Sequence, residues 1–177
     1  MRCSTIAILL LLALSANAAD LESRALTHYV PQDLLENIVR KEGWTEIALK
    51  PYDGVKKGDI ARIWTGGVID HGNSNQPGVN VTGPDGAKVS PMEAGKMAMS
   101  PQPDLAYALL FKTEDGILHK PTPGKPLEIR LTKAGAKLWA AFNDQRGRYA
   151  DNHLGKGRRY ESDPLWVRVE VIRIIVD

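Results

Sequence analysis

Leu34, Leu35, Ile38 and Val39 recur at helical spacing, and Pro31 stands where the first turn of a helix accepts proline. Gly43 supplies the stop, so residues 31–41 are predicted to form an amphipathic helix. Beyond Gly43 the period changes to two. Residues 44–50 carry Ile47 and Leu49 in alternation, and Lys57-Gly58-Asp59 turns the chain into an apolar strand at 60–64 that Gly66-Gly67 ends. Residues 69–102 are rich in glycine, proline and asparagine and read mostly as loop, with a short helix at 92–99. A continuous apolar run at 105–112 reads as a buried strand. Alternation then predicts strands at 127–131, 138–142 and 165–171, and a phase slip at Ile172 predicts a bulge or the end of the last strand. The pattern is that of an all-β protein, a jelly-roll-like antiparallel β-sandwich with a short N-terminal helix.

The first nineteen residues stand apart. Arg2, the apolar run 6–14 and Ala16-Asn17-Ala18 make a positive region, a hydrophobic core and a small-residue cleavage site. The expectation is a signal peptide at 1–19, a helical lead-in at 20–43 and a β-sandwich domain at 44–177, exported to the periplasm or secreted. The apolar run is too short to span a bilayer, so no membrane attachment is expected after cleavage. Cleavage also removes Cys3, the only cysteine, which leaves no disulfide, thiol nucleophile or thiolate metal site.

Composition narrows the function classes. The 177 residues carry 23 Lys+Arg against 21 Asp+Glu, a balance that argues against a nucleic-acid-binding surface. Signatures of phosphate binding, dinucleotide binding, serine hydrolysis and zinc proteolysis are absent, and the four histidines fall at no metal-ligand spacing. No enzyme is indicated, although an exported hydrolase using two carboxylates is the reading to weigh from that class.

One segment concentrates polar chemistry: Asn143-Asp144-Gln145-Arg146-Gly147-Arg148-Tyr149-Ala150-Asp151-Asn152, directly after the predicted strand 138–142. Carboxylates, amides and a folding-back glycine are what a calcium loop needs. The same composition also suits a polar hairpin in which Arg146 and Arg148 neutralise Asp144 and Asp151.

The order of motifs along the chain resembles the PA-I galactophilic lectins, the calcium-dependent galactose-binding family. The resemblance runs through Lys57-Gly58-Asp59, Gly67-Val68-Ile69-Asp70-His71-Gly72, Gly83-Pro84-Asp85-Gly86, the strand at 106–110, Ala134-Gly135-Ala136-Lys137-Leu138-Trp139 and the 143–152 segment. It implies a lectin that binds Ca²⁺ through the side chains of Asp144, Asp151 and Asn152 and the backbone carbonyls of Arg148 and His71. The sugar would meet the ion and Asp144, Asp151 and Asn152, with Ser90 and Glu93 at the outer contact positions. Asp151 stands where the family has asparagine, and Ser90 and Glu93 stand where it has histidine and glutamine. Those departures and the two arginines leave a galactoside or an acidic sugar as the implied carbohydrate partner, and the family's habit implies a homo-oligomer. A lectin-fold scaffold or protein-interaction domain that has lost sugar binding is the alternative.

Overall fold

A computed structural model describes residues 21–51, 53–72, 80–155 and 163–176. The predicted signal peptide at 1–19 lies outside the described residues. Among the described residues, three antiparallel sheets and two α-helices form an all-β, sandwich-like arrangement. Among the described residues no helix is long and apolar enough to cross a membrane.

The largest sheet has the order β1-β10-β3-β7, from β1 (Leu21–Tyr29), β10 (Trp166–Val176), β3 (Ile60–Gly66) and β7 (Leu127–Arg130). The second has the order β2-β8-β6, from β2 (Thr45–Ile47), β8 (Leu138–Phe142) and β6 (Leu109–Lys112). Ile63, Ile129, Val167 and Val169 of the first sheet and Ile47, Leu109, Phe111, Leu138, Ala140 and Phe142 of the second are buried in one apolar cluster. Alternation puts the intervening residues outside, where Arg62 of β3 pairs with Glu128 of β7 and Glu170 of β10 across neighbouring strands.

Helix α1 (Gln32–Arg40) confirms the first periodicity: Leu35, Ile38 and Val39 join the same core. The lead-in is more than a helix, however. The strand β1 precedes it and pairs along its length with β10, from Leu21 opposite Val176 to Tyr29 opposite Arg168. Its sequence mixes Arg24, Thr27 and His28 with apolar residues, so it lacks the clean alternation that marks β3 and β10.

Three other expectations change. β10 passes through Ile172 without a break, and that residue lies opposite both Ala25 and Ile60. Flanking strands on both sides cover the isoleucine, so it needs no bulge. The apolar run at 105–112 is not one strand. Pro103–Leu105 is a 3₁₀ turn, Tyr107 has φ 53°, and only Leu109–Lys112 pairs as β6. Within the loop-rich 69–102 stretch lie β4 (Ile69–Asp70), β5 (Val81–Thr82) and α2 (Pro91–Ala94). With β9 (His153–Leu154) the two short strands build the third sheet, in the order β5-β4-β9.

On the outer face, the Trp166 ring covers Gly66 so closely that a Cβ there would stand 2.5 Å from it. Tyr29 meets that ring edge-on at 6.4 Å, and Arg168 lies over the Trp64 ring.

Candidate functional site

The third sheet joins distant parts of the sequence. β4 pairs with β5 on one side and β9 on the other, which brings His71, residues 80–82 and the 143–152 loop to one end of the molecule. His71 is held there by its N–H, which donates to Asn80 O at 2.9 Å.

The loop itself starts from a fully buried residue. Asn143 accepts from the N–H groups of Met99 and Ser100 on Oδ1 and donates from Nδ2 to the carbonyls of Ser100 and Leu105, at 2.8–3.1 Å. With both ends of its amide satisfied, Asn143 fixes the end of β8 against the segment that follows α2. The next residues pair backbone to backbone with that segment: Ala98 N–H donates to Asp144 O and Arg146 N–H to Lys96 O. Gly147 takes φ 74°, a turn that favours glycine, and the chain enters the 3₁₀ turn Tyr149–Asp151. Tyr149 is buried beneath the loop and donates its hydroxyl proton to Phe142 O at 3.0 Å.

The end of α1 closes over the loop. Asn152 Nδ2 donates to Val39 O at 2.7 Å, Arg40 Nη2 to Ala150 O at 3.2 Å, and Gly147 N–H to Glu42 Oε2 at 3.1 Å. Val39 lies in the last turn of its helix, where carbonyls have no intrahelical partner, so Asn152 satisfies one of them.

These elements enclose a cavity of about 470 Å³, lined by His71, Thr82, Glu93, Tyr107, Asp144, Gln145, Arg148 and Asp151 among others. Asp144 is 2% exposed. Its Oδ1 accepts from Gln145 N–H at 2.6 Å, but its buried Oδ2 has no hydrogen-bond partner among the described residues. The buried Oδ1 of Asn152 likewise has no partner among the described residues, while the amide's donor side is tied to Val39. Burial pushes the Asp144 carboxyl up to about 6; the nearby Asn152 side chain and the Gln145 N–H draw it down, and Asp151 drives it up. Burial also holds the His71 imidazole below its ordinary value.

A buried oxygen without a partner among the described residues is expensive, about 1–3 kcal/mol for each unsatisfied group and more for a charge. A cation bound to both oxygens would satisfy them, so the donor set fits a hard metal ion. The buried oxygens without partners come from one carboxylate and one amide. Among the described residues no group of three or more histidine, cysteine, aspartate or glutamate side chains converges on a metal position.

The structure therefore brings His71, Glu93, Asp144, Arg148 and Asp151 to one cavity, with Asn152 buried beneath it. Ser90 is not in the lining. It is exposed and caps α2, accepting from Glu93 N–H on Oγ at 3.2 Å. The spacing Ser90-x-x-Glu93 is that of a helix N-terminus, which is why the serine turns toward its own backbone. Arg146 is exposed and outside the lining too. Among the described residues neither arginine forms an ion pair with Asp144 or Asp151.

Sequence reasoning missed Tyr107, Gln145 and Thr82 as lining residues. Tyr107 is the only described non-glycine residue besides Asp163 with positive φ. Its ring stacks on His71 at 3.9 Å between centroids, 15° from parallel. A tyrosine interrupting the apolar run Leu105-Ala106-Tyr107-Ala108-Leu109 was the signal available. No protein-family model matches the chain, and no curated protein matches it.

Proposed function

We propose that this is an exported, non-enzymatic carbohydrate-binding protein, a lectin whose Ca²⁺ site engages hydroxyls of a galactose-like sugar. The observation that carries the reading is the pair of buried oxygens, Asp144 Oδ2 and Asn152 Oδ1, that have no hydrogen-bond partner among the described residues. The motif order shared with the PA-I galactophilic lectins supports it from the sequence side.

Asp144, Asp151 and Asn152 would hold the ion through side-chain oxygens, and Arg148 and His71 through backbone carbonyls. Asp144 contributes a carboxylate kept dry by its burial, and Asn152 presents its carbonyl oxygen because Val39 takes its N–H. Asp151, half-exposed at the cavity wall, adds the second negative charge. When bound, the ion supplies direct coordination to sugar hydroxyls, since calcium takes about six to eight oxygens. The cavity around it limits the ligand to the end of a glycan. Affinity for one sugar would be modest, and a homo-oligomer would raise it by engaging several chains of a glycan surface together.

The test is a glycan array probed with the protein from Asp20 onward, once in millimolar Ca²⁺ and once in chelator. Signal on galactosides that disappears in chelator is expected. Silence in both conditions would remove the sugar-binding reading and favour a scaffold built on the same sheets.

A further inference from the structure

A second cleft opens where β3 begins. It measures about 420 Å³ and is lined by Lys56, Lys57, Asp59, Arg130, Arg173 and Ile174 among others. The chain reaches the calcium cavity only beyond the other end of β3. That strand has seven residues, so its ends stand about 20 Å apart at about 3.3 Å per residue.

Four of these side chains are cations and one is an anion. Two of the cations are committed within the protein. Arg173 donates to both oxygens of Asp59 and also to Asp53, while Lys56 Nζ donates to Asp53 and Lys56 N–H to Asp59. Lys56 foremost, and Arg173 with it, hold the Asp53 carboxyl down to about 2, so both carboxylates are charged and answered. Lys57 and Arg130 stand outside this network. Both are exposed, and among the described residues neither has an ion pair or a side-chain hydrogen bond. The cleft therefore carries two positive charges without counter-charges.

The backbone that presents them is fixed. Arg130 ends β7 opposite Ile60, the first residue of β3. The ladder continues one step further: Leu131 N–H donates to Asp59 O at 2.7 Å and Gly58 N–H to Leu131 O at 2.8 Å. Lys57 thus leaves a pinned turn beside the strand end that carries Arg130. Two like charges on neighbouring rigid segments add nothing to packing, and they suit an anion that both can reach.

Arginine offers a planar fork of donors and lysine a compact charge, a combination that matches the oxygens of a tetrahedral oxoanion. A bare phosphate or sulfate would leave most of this volume empty, since pockets of about 300–1,000 Å³ accept molecules of drug size. Ile174 is 51% exposed and lines the same cleft, an apolar wall for the body that carries the anion. We propose that this cleft is a second ligand site, which takes a phosphate or sulfate monoester with Lys57 and Arg130 on the oxoanion and Ile174 against the organic body. It stands independently of the calcium site.

Calorimetric titration of the full mature chain at low salt, free of calcium, tests it with glucose 6-phosphate, glucose 6-sulfate, glucose and inorganic phosphate. At least one ester is expected to bind about tenfold more tightly than inorganic phosphate, with no heat from glucose; the tighter ester identifies the oxoanion. Lys57→Gln and Arg130→Gln should each weaken that ester by about tenfold, the loss expected of a charge-assisted hydrogen bond. Added salt should weaken it as well. Both side chains are exposed and unpaired, so the two variants should keep the natural melting temperature and calcium affinity. Binding of neither ester, inorganic phosphate binding as tightly as both, or full affinity retained in both variants overturns the inference. Each of these outcomes leaves the calcium-site reading to its own test on the glycan array.

Discussion

Asn152 donates its side-chain amide to the carbonyl of Val39 over 2.7 Å, in the buried seam between the last turn of α1 and the turn that leads into β9. The bond does two things with one side chain. It satisfies a helix-end carbonyl and orients the amide so that its oxygen is offered to the candidate cation position. Helix and loop are therefore one mechanical unit, although 113 residues separate the partners.

Asn152→Ala removes both roles. We expect a loss of about 1–3 kcal/mol in unfolding free energy, because the Val39 carbonyl is left buried and unpaired. The stabilisation conferred by calcium should vanish in the same variant. Denaturant titrations with calcium and with chelator measure both; a calcium-induced shift equal to that of the natural chain would rule out Asn152 as a ligand.

Asp144→Asn should act with opposite signs in the two conditions. Without calcium the neutral side chain relieves a buried, partly unpaired carboxylate, and stability at pH 8 is expected to rise by about 1–3 kcal/mol. With calcium the variant gains nothing, since the charge that attracts the ion is gone. Melting curves in chelator and in millimolar Ca²⁺ separate these effects.

The raised value of Asp144 also sets a pH dependence. Its carboxyl titrates near 6 in the folded protein against 3.8 ordinarily, so between those values the folded state binds more protons than the unfolded one. Stability of the calcium-free protein contributed by this group is thus greatest below 3.8 and falls as pH rises through about 6. Calcium binding requires the proton to leave, so affinity at pH 5 should be about tenfold weaker than at pH 7.5. A calcium titration that is flat across this interval would exclude Asp144 as the titrating ligand.

Far from the cavity, Arg173 of β10 donates to both oxygens of Asp59, at 2.7 and 2.8 Å, and also to Asp53 and to Gly54 O. Asp59 is buried, and although burial works against it, the guanidinium and the Lys56 N–H hold its carboxyl below the ordinary value. A lowered value means stability that is present above the ordinary carboxylate range and is lost as pH falls through the lowered one. Arg173→Met leaves the Asp59 charge buried and should cost about 3 kcal/mol near neutral pH, with less difference from the natural chain in acid. Calcium affinity of the folded variant should not change.

The core of the two larger sheets was legible because β3, β7 and β10 bury alternate residues and leave those between them partly or fully exposed, and alternation is the direct record of that. The loop 143–152 was legible as chemistry because its oxygens are close in sequence. β1 was not, since its pairing with β10 depends on the partner's backbone more than on its own pattern. Tyr107 was hidden for a different reason: its backbone conformation is imposed by Asn143 and Thr82, residues remote in sequence, and a local apolar count reads straight through it. Ser90 and Glu93 were found together, yet the helix cap claims the serine and leaves the glutamate to the cavity.

The long register between β1 and β10 has a practical consequence for anyone shortening this protein. A chain begun at Trp44, where the sandwich reads as starting, would strip β10 of one neighbour and expose a row of unpaired backbone donors and acceptors along an eleven-residue strand. Such an edge recruits a strand from another molecule. It would also lose the helix that orders the loop, so the shortened protein would be both sticky and slack at its site, and its silence toward any ligand would say nothing about the intact chain.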